Sequence, residues 1–369
     1  MKGRVALNGR FSHAHHPAGT HVASFHLFDA MLRLERKRDL VVFADPSSPG
    51  VEEWQSLPRT VFCPVPFRSW SRGRCQLWEQ LVFPKLAHRM GCELGHHPMN
   101  TSPARPGVVP SVVTLHDLNF LLHPEWYHWS FRWAYRWTCL PGLRRAKAVA
   151  VISQYVAKQV EKRFGLDLRH LRVIPNGLVP LPEVEPIQHV PPFLFAVGSF
   201  QPHKNLRRLL LAHQRLRNEF PDLELRLAGL PEKGFSLGAD LRNSLAAPGV
   251  VSLGFLEAHS LAAHYRGARV FCFPSLEEGF GLPILEAMSQ GVPVVTSRTS
   301  CLPEVAGDAA CLIDPTSVDD LVRGLRMMLM MSEPERNHWI QVGRDRAARF
   351  SWQRSAQAYL DLFEEMIPS

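Results

Sequence analysis

Two glutamates eight positions apart, Glu278 and Glu286, have the residue type and spacing that speak most directly of chemistry in this chain. Between them runs Gly279-Phe280-Gly281-Leu282-Pro283, a glycine turn followed by a proline at a helix start, and the predicted helix stops at Gly291. The short apolar run before the turn, ending at Pro274 and Ser275, predicts a buried strand. A glycine turn feeding a helix N-terminus gathers free backbone N–H groups and the positive end of the helix dipole at one point, which suits a phosphate. Carboxylates, for their part, accept paired hydrogen bonds from the vicinal hydroxyls of a sugar or a ribose. With Glu278 in the turn and Glu286 about one turn into the helix, the acids can face one ligand from two sides. Together these features point to a sugar joined to a nucleotide through phosphates.

Breaking such a sugar–diphosphate bond builds negative charge on the departing diphosphate, which something must neutralise. The chain contains no D-x-D metal-binding motif, so lysine and helix N-termini must supply the positive charge. Phe193 to Val197 predicts a strand, and Gly198 to Asn205 (GSFQPHKN) turns from it into a helix starting near Leu206. Lys204 and Asn205 stand where that helix opens, and Ser199 and His203 lie in the same turn. Val112 to Leu115 predicts another buried strand, which delivers His116 and Asp117 at its C-terminal end, the side on which open parallel sheets bind ligands. Gly19 and Thr20 precede an apolar helix from Val22 to Leu34 and suit backbone contact with an anion. His13, His15, His16 and His21 cluster nearby, but no acid or thiol pattern accompanies them, and no metal site is expected.

The word EGFGLPILEAM, with both acids, resembles the E-x7-E signature of the retaining glycosyltransferases of family 4, the GT-B group that includes bacterial mannosyl- and glucosyltransferases. VVTLHDL, VAVISQYVAKQV and Leu302-Pro303-Glu304-Val305 are similar to further words of that family, so the likeness covers nearly the whole chain. It implies an α/β fold of two Rossmann-like domains facing across a cleft, with the donor held mainly by the second. It also implies transfer of a hexose from a GDP- or UDP-sugar to an acceptor hydroxyl in polysaccharide or glycolipid assembly, with the anomeric configuration kept. Neither metal nor cofactor is implied. Likeness to O-antigen mannosyltransferases makes GDP-mannose the first donor to consider.

Carried over residue by residue, the resemblance puts Glu278 on the sugar hydroxyls, Glu286 on the ribose and Lys204 on the leaving diphosphate. Gly279, Phe280, Gly281, Leu282 and Pro283 form the donor-binding turn, and Ser199 joins them from the Gly198 loop. His116 would approach the donor sugar near its reacting carbon, with Asp117 holding it or capping its loop, while Gly19 lies against the diphosphate and the acceptor. Lys204 matches the second member of a basic pair common in the family; the first is His203 instead of arginine. Two other functions remain open: a GT-B sugar epimerase, and a non-catalytic protein binding nucleotide-sugars or nucleic acid.

The elements that must position these residues read as alternating strands and helices with glycine turns at strand ends. Further strands are expected at Arg4–Asn8, Val41–Ala44, Val149–Ser153, Val173–Gly177, Leu225–Gly229 and Val250–Gly254, with a helix at Leu237–Leu245. Val179 to Pro192 holds five prolines in fourteen residues, a linker. It divides a first domain, 1–180, from a second, 193–351, and an amphipathic helix over 352–369 is expected to cross back onto the first.

The 369 residues suffice for two cores. A hydrophobic content of 46% with 21% charged residues marks a globular protein without a membrane-spanning run or signal peptide, and seven cysteines without a C-x-x-C pair fit reduced thiols, so a cytoplasmic place is expected. The net charge of +8 is uneven: residues 1–180 hold 24 Lys and Arg against 12 Asp and Glu, whereas residues 181–369 hold 18 against 22. A basic half can meet an anionic membrane, a phosphate-bearing acceptor or nucleic acid, and peripheral contact at the inner membrane face is among the expected partners, nucleic acid not. Phe67 to Arg74 (FRSWSRGR) reads as an exposed loop. Trp126, Trp129, Trp133 and Trp137 fall at helical spacing beside Arg132 and Arg136; core packing is the expectation, a membrane interface the alternative.

Overall fold

The computed structural model of the chain describes residues 3–14, 19–105, 107–164, 171–187, 192–229 and 239–367. His15, His16, Leu237 and positions 188–191 of the proline-rich stretch lie outside the described residues. The chain divides into two compact units, Met1–Gly177 with Ser351–Ser369, and Leu178–Phe350.

The first unit is built on seven strands: β1 Arg4–Asn8, β2 Leu40–Ala44, β3 Thr60–Pro64, β4 Cys92–His97, β5 Ser111–Leu115, β6 Ala148–Val151 and β7 Leu171–Val173. They pair in the order β3-β2-β1-β4-β5-β6-β7, every pair parallel. Parallel strands are covered on both faces and therefore read as continuous apolar runs, as in LVVFA of β2, where all five residues are buried. β7 lies before Pro175 instead of running through VIPNG, since proline cannot donate to a ladder. Two strands had no expectation, β3 and β4.

Helix Trp352–Met366 packs on this unit. Its Tyr359 hydroxyl lies 2.7 Å from the Thr114 hydroxyl on β5, and Tyr359 and Phe363 both contact the buried His96 ring, with centroids 4.9 and 5.4 Å away. The Phe67–Arg74 stretch is not the expected exposed loop. Phe67 is core, edge-on to Trp78 at 4.9 Å, and Ser71 caps the helix Arg72–Leu81 by accepting from the Arg74 N–H.

The second unit holds six parallel strands: β8 Phe193–Val197, β9 Glu224–Ala228, β10 Val250–Gly254, β11 Val270–Phe273, β12 Val294–Ser297 and β13 Ala310–Ile313. Their order is β10-β9-β8-β11-β12-β13. In each sheet the chain winds one way from its first strand and then returns to the other side of it, so the winding reverses between β1 and β4 and between β8 and β11. Loops leaving the C-terminal ends of strands flanking such a reversal diverge and leave a crevice for ligands.

Candidate active site

In the second unit the two loops at the reversal point are Gly198–Asn205, leaving β8, and Pro274–Gly281, leaving β11. They meet through Lys204 and Glu278, whose Nζ and Oε1 are 2.6 Å apart. Both side chains are largely buried, with 17% and 13% of their surface exposed. The ammonium also sits 5.0 Å from the centre of the Phe273 ring, a further favourable contact for a cation. Burial alone would raise the Glu278 carboxyl, but the charges of Lys204 and His203 outweigh it and hold it below the ordinary value.

Several bonds fix the loops. Asn205 takes a left-handed conformation with φ of 59°, and its Nδ2 donates to Pro274 O at 3.0 Å and to Pro315 O at 2.7 Å. His203 is buried, and its carbonyl accepts from the Leu276 N–H at 2.7 Å. Ser297 donates to Ser275 O at 2.6 Å and Thr296 to Phe273 O at 2.8 Å, tying the end of β11 to β12. Phe280 is buried against Phe350, while Gly279 and Ser199 are half-buried in their loops.

Helix Leu282–Ser289 starts just beyond, with Leu282 and Pro283 in its first turn. Gly281 before it has φ of 96°, and a Cβ there would stand 2.8 Å from Leu302 Cδ2, so the turn requires glycine. Glu286, one turn in, is not part of the Lys204 pair. Its Oε2 accepts from the Tyr265 hydroxyl at 2.9 Å, and burial raises its carboxyl, with that hydroxyl pulling the other way.

The other candidates belong to the first unit. Gly19, with φ of 51°, precedes the helix Thr20–Arg33. Four residues into that helix Ser24 donates to Pro98 O at 3.2 Å, and the same carbonyl accepts from His116 Nε2 at 2.7 Å. A carbonyl accepts only, so Nε2 carries the proton and Nδ1 is the ring's basic nitrogen. Burial pushes the His116 imidazole down to about 4 despite that carbonyl, and the ring stays neutral at physiological pH. Asn100 accepts from the His116 N–H at 2.6 Å, and Asp117 accepts from the Asn119 N–H at 2.9 Å, capping the loop as expected.

A buried polar cluster at the ends of β1 and β4 escaped sequence reasoning. Glu79 accepts from Asn8 Nδ2 at 2.7 Å and from the Thr101 hydroxyl at 2.6 Å, and lies 3.6 Å from Arg10 and 3.2 Å from His97 Nδ1. Burial raises its carboxyl, yet Arg10 and His97 carry the balance downward. No local pattern announces it, because its members come from three separate stretches, 8–10, 79 and 97–101. Among the described residues no group of three or more His, Cys, Asp or Glu is placed to hold a metal.

The family model described as Glycosyltransferase Family 4 matches residues 19–180, and that described as Glycosyl transferases group 1 matches residues 181–346. O-antigen chain mannosyltransferase B of Escherichia coli is 30% identical over 281 residues, covering 69% of this chain and 70% of that protein. The chain belongs to glycosyltransferase family 4. A second relative, the MMP alpha-(1->4)-mannosyltransferase of Mycolicibacterium hassiacum, is 33% identical over 254 residues, 63% of this chain and 61% of that protein. Sucrose-phosphate synthase from Thermosynechococcus elongatus shares the fold at a TM-score of 0.74 and 19% identity over 99% of both chains. The protein is thus a GT-B glycosyltransferase with two parallel-sheet, Rossmann-like domains.

Proposed function

We propose that this glycosyltransferase moves mannose from GDP-mannose to an acceptor hydroxyl of a growing polysaccharide or glycolipid, keeping the anomeric configuration and using no metal. The observation that carries the reading is the Lys204–Glu278 pair at the reversal point of the second sheet, in a chain whose relatives include two mannosyltransferases. Lys204 would turn from Glu278 to the diphosphate as the donor enters, supplying the positive charge that the leaving group needs. Glu278, released, would accept from sugar hydroxyls, and Glu286 would hold the ribose. The N–H groups from Gly279 to Leu282 would line the phosphates, with Pro283, Ser199 and His203 shaping the pocket, and Gly19 is a further candidate for contact with the diphosphate.

His116, neutral and with its Nε2 proton committed to Pro98, would act near the reacting carbon as a polar contact instead of as a charged acid. None of these side chains is assigned as a covalent nucleophile. The departing phosphate oxygen would take the acceptor proton on the face from which it leaves.

The test is a melting-temperature screen against GDP-, UDP- and ADP-sugars. A ligand binding only the folded form at about one hundred times its Kd adds roughly 2.7 kcal/mol of stability. GDP-mannose should give the largest shift, and a UDP-sugar doing so instead would replace the donor assignment. With donor alone, slow hydrolysis is expected, and accumulation of an epimer would make the enzyme an epimerase. NMR of the product linkage decides retention, and turnover undiminished by EDTA is expected.

A further inference from the structure

Helix Trp129–Arg145 carries Trp129, Trp133 and Trp137 at four-residue intervals, and all three are exposed, at 69, 64 and 59%. The expected core packing of this stripe is therefore wrong for these three. The helix meets its core through Cys139 and Leu143 instead, with Tyr135 and Leu140 packed beside them. Arg132 and Arg136 stand exposed among the tryptophans, and the helix has no Asp or Glu along its length.

Helix Arg72–Leu81 of the same unit also exposes Leu77 and Leu81 and starts with the exposed Arg72 and Arg74. The C-terminal ends of the two helices are tied to one stretch of chain. Gln80 donates to Ser102 O at 2.9 Å and accepts from the Ala104 N–H at 2.7 Å, while Arg145 donates to Ala104 O at 2.6 Å. All of the exposed large hydrophobic residues found among the described residues of the first unit fall between Leu77 and Trp137.

Exposed tryptophan is unfavourable in water, but at a bilayer surface its ring enters the acyl boundary while its N–H stays with the headgroups. Arginine at the same level meets lipid phosphate. From residue 66 to 147 the chain has eleven Lys and Arg against four Asp and Glu, one of which is the buried Glu79, so the surface opposes a second copy of itself and complements an anionic one.

We infer that this face of the first unit docks on the surface of an anionic phospholipid bilayer. The inference stands apart from the donor assignment, because lipid binding needs neither nucleotide nor acceptor. The full chain should sediment with phosphatidylglycerol-containing vesicles, and much less with pure phosphatidylcholine, in a manner weakened by salt. Each exposed arginine adds roughly five-fold to the partition coefficient, so Arg132→Gln/Arg136→Gln should lower it about 25-fold. Trp133→Ala/Trp137→Ala should release the protein from vesicles and abolish quenching of its emission by lipid-borne quenchers. Both variants should melt with the wild type and hydrolyse donor at the same rate in the absence of lipid, which separates docking from folding and from the transfer site. Equal binding to neutral and anionic vesicles would overturn the inference, as would variants that bind like the wild type. A lipid-free dimer that these substitutions dissolve would make the face a self-association surface instead.

Discussion

Glu278→Gln should damage turnover while leaving the nucleotide's grip intact or stronger. In the free protein Glu278 is the partner of Lys204 at 2.6 Å, so it competes with any diphosphate for that ammonium. Glutamine keeps the shape and removes the charge. Breaking a buried pair typically costs 3–5 kcal/mol, and because both groups retain some solvent contact a smaller cost applies, about 2–3 kcal/mol. For a unit of this size that is a fall in Tm of roughly 5–10 °C. A lost charge-assisted hydrogen bond to a sugar hydroxyl, about 1.5–3 kcal/mol, lowers kcat/KM by roughly 10- to 150-fold. Free GDP, which has no sugar, loses nothing and gains an uncontested lysine, so its stabilisation of the variant should equal or exceed that of the wild type. Calorimetric titration with GDP, melting curves with and without it, and steady-state transfer measure the three quantities. GDP affinity falling in step with turnover would refute the reasoning and place Glu278 on the nucleotide or in the fold.

Tyr265→Phe removes the hydroxyl that opposes the burial-driven rise of the Glu286 carboxyl, so the pH below which the donor KM climbs should move upward; an unchanged KM–pH profile would detach Glu286 from donor binding. His116 is held at about 4 in the folded protein against 6.5 when free, so the folded state binds fewer protons and this contribution to stability is complete above pH 6.5. As pH falls from 6.5 toward 4, about 3 kcal/mol is lost, and His116→Gln should flatten that part of the pH dependence in urea denaturation. Gly281→Ala forces a side chain into φ of 96° and against Leu302, which should cost about 1–3 kcal/mol and lower Tm by roughly 3–10 °C, read in a melting scan without ligand.

β8 to β11 of the second sheet were legible because they are short apolar runs ended by glycine or proline, whereas β13 had no expectation; the glycine turn and proline of 279–283 announce a helix start by local chemistry alone. β4 was not. Its residues Glu93, Gly95, His96 and His97 look like a polar loop, and only the folded neighbourhood of Asn8, Glu79 and Tyr359 explains why histidines line a central strand. Lys204 and Glu278 could each be named from the sequence, but their pairing joins residues 74 positions apart and has no local signature. The same holds for Asn205, whose amide spans two loops, and for Tyr265 on Glu286. The tryptophan stripe fails for a different reason. Helical periodicity says which residues share a face and is silent on whether that face looks inward.

The helix Trp352–Met366 has a consequence for how the polypeptide is made. It supplies Tyr359 and Phe363 as cover to a sheet whose strands all precede residue 174, so the ribosome finishes that sheet long before its cover exists. At about 5–20 residues per second the delay is on the order of ten to forty seconds. Throughout it, the nascent first unit presents the apolar surface around His96 to the crowded cell, an interval in which chaperone capture would matter most.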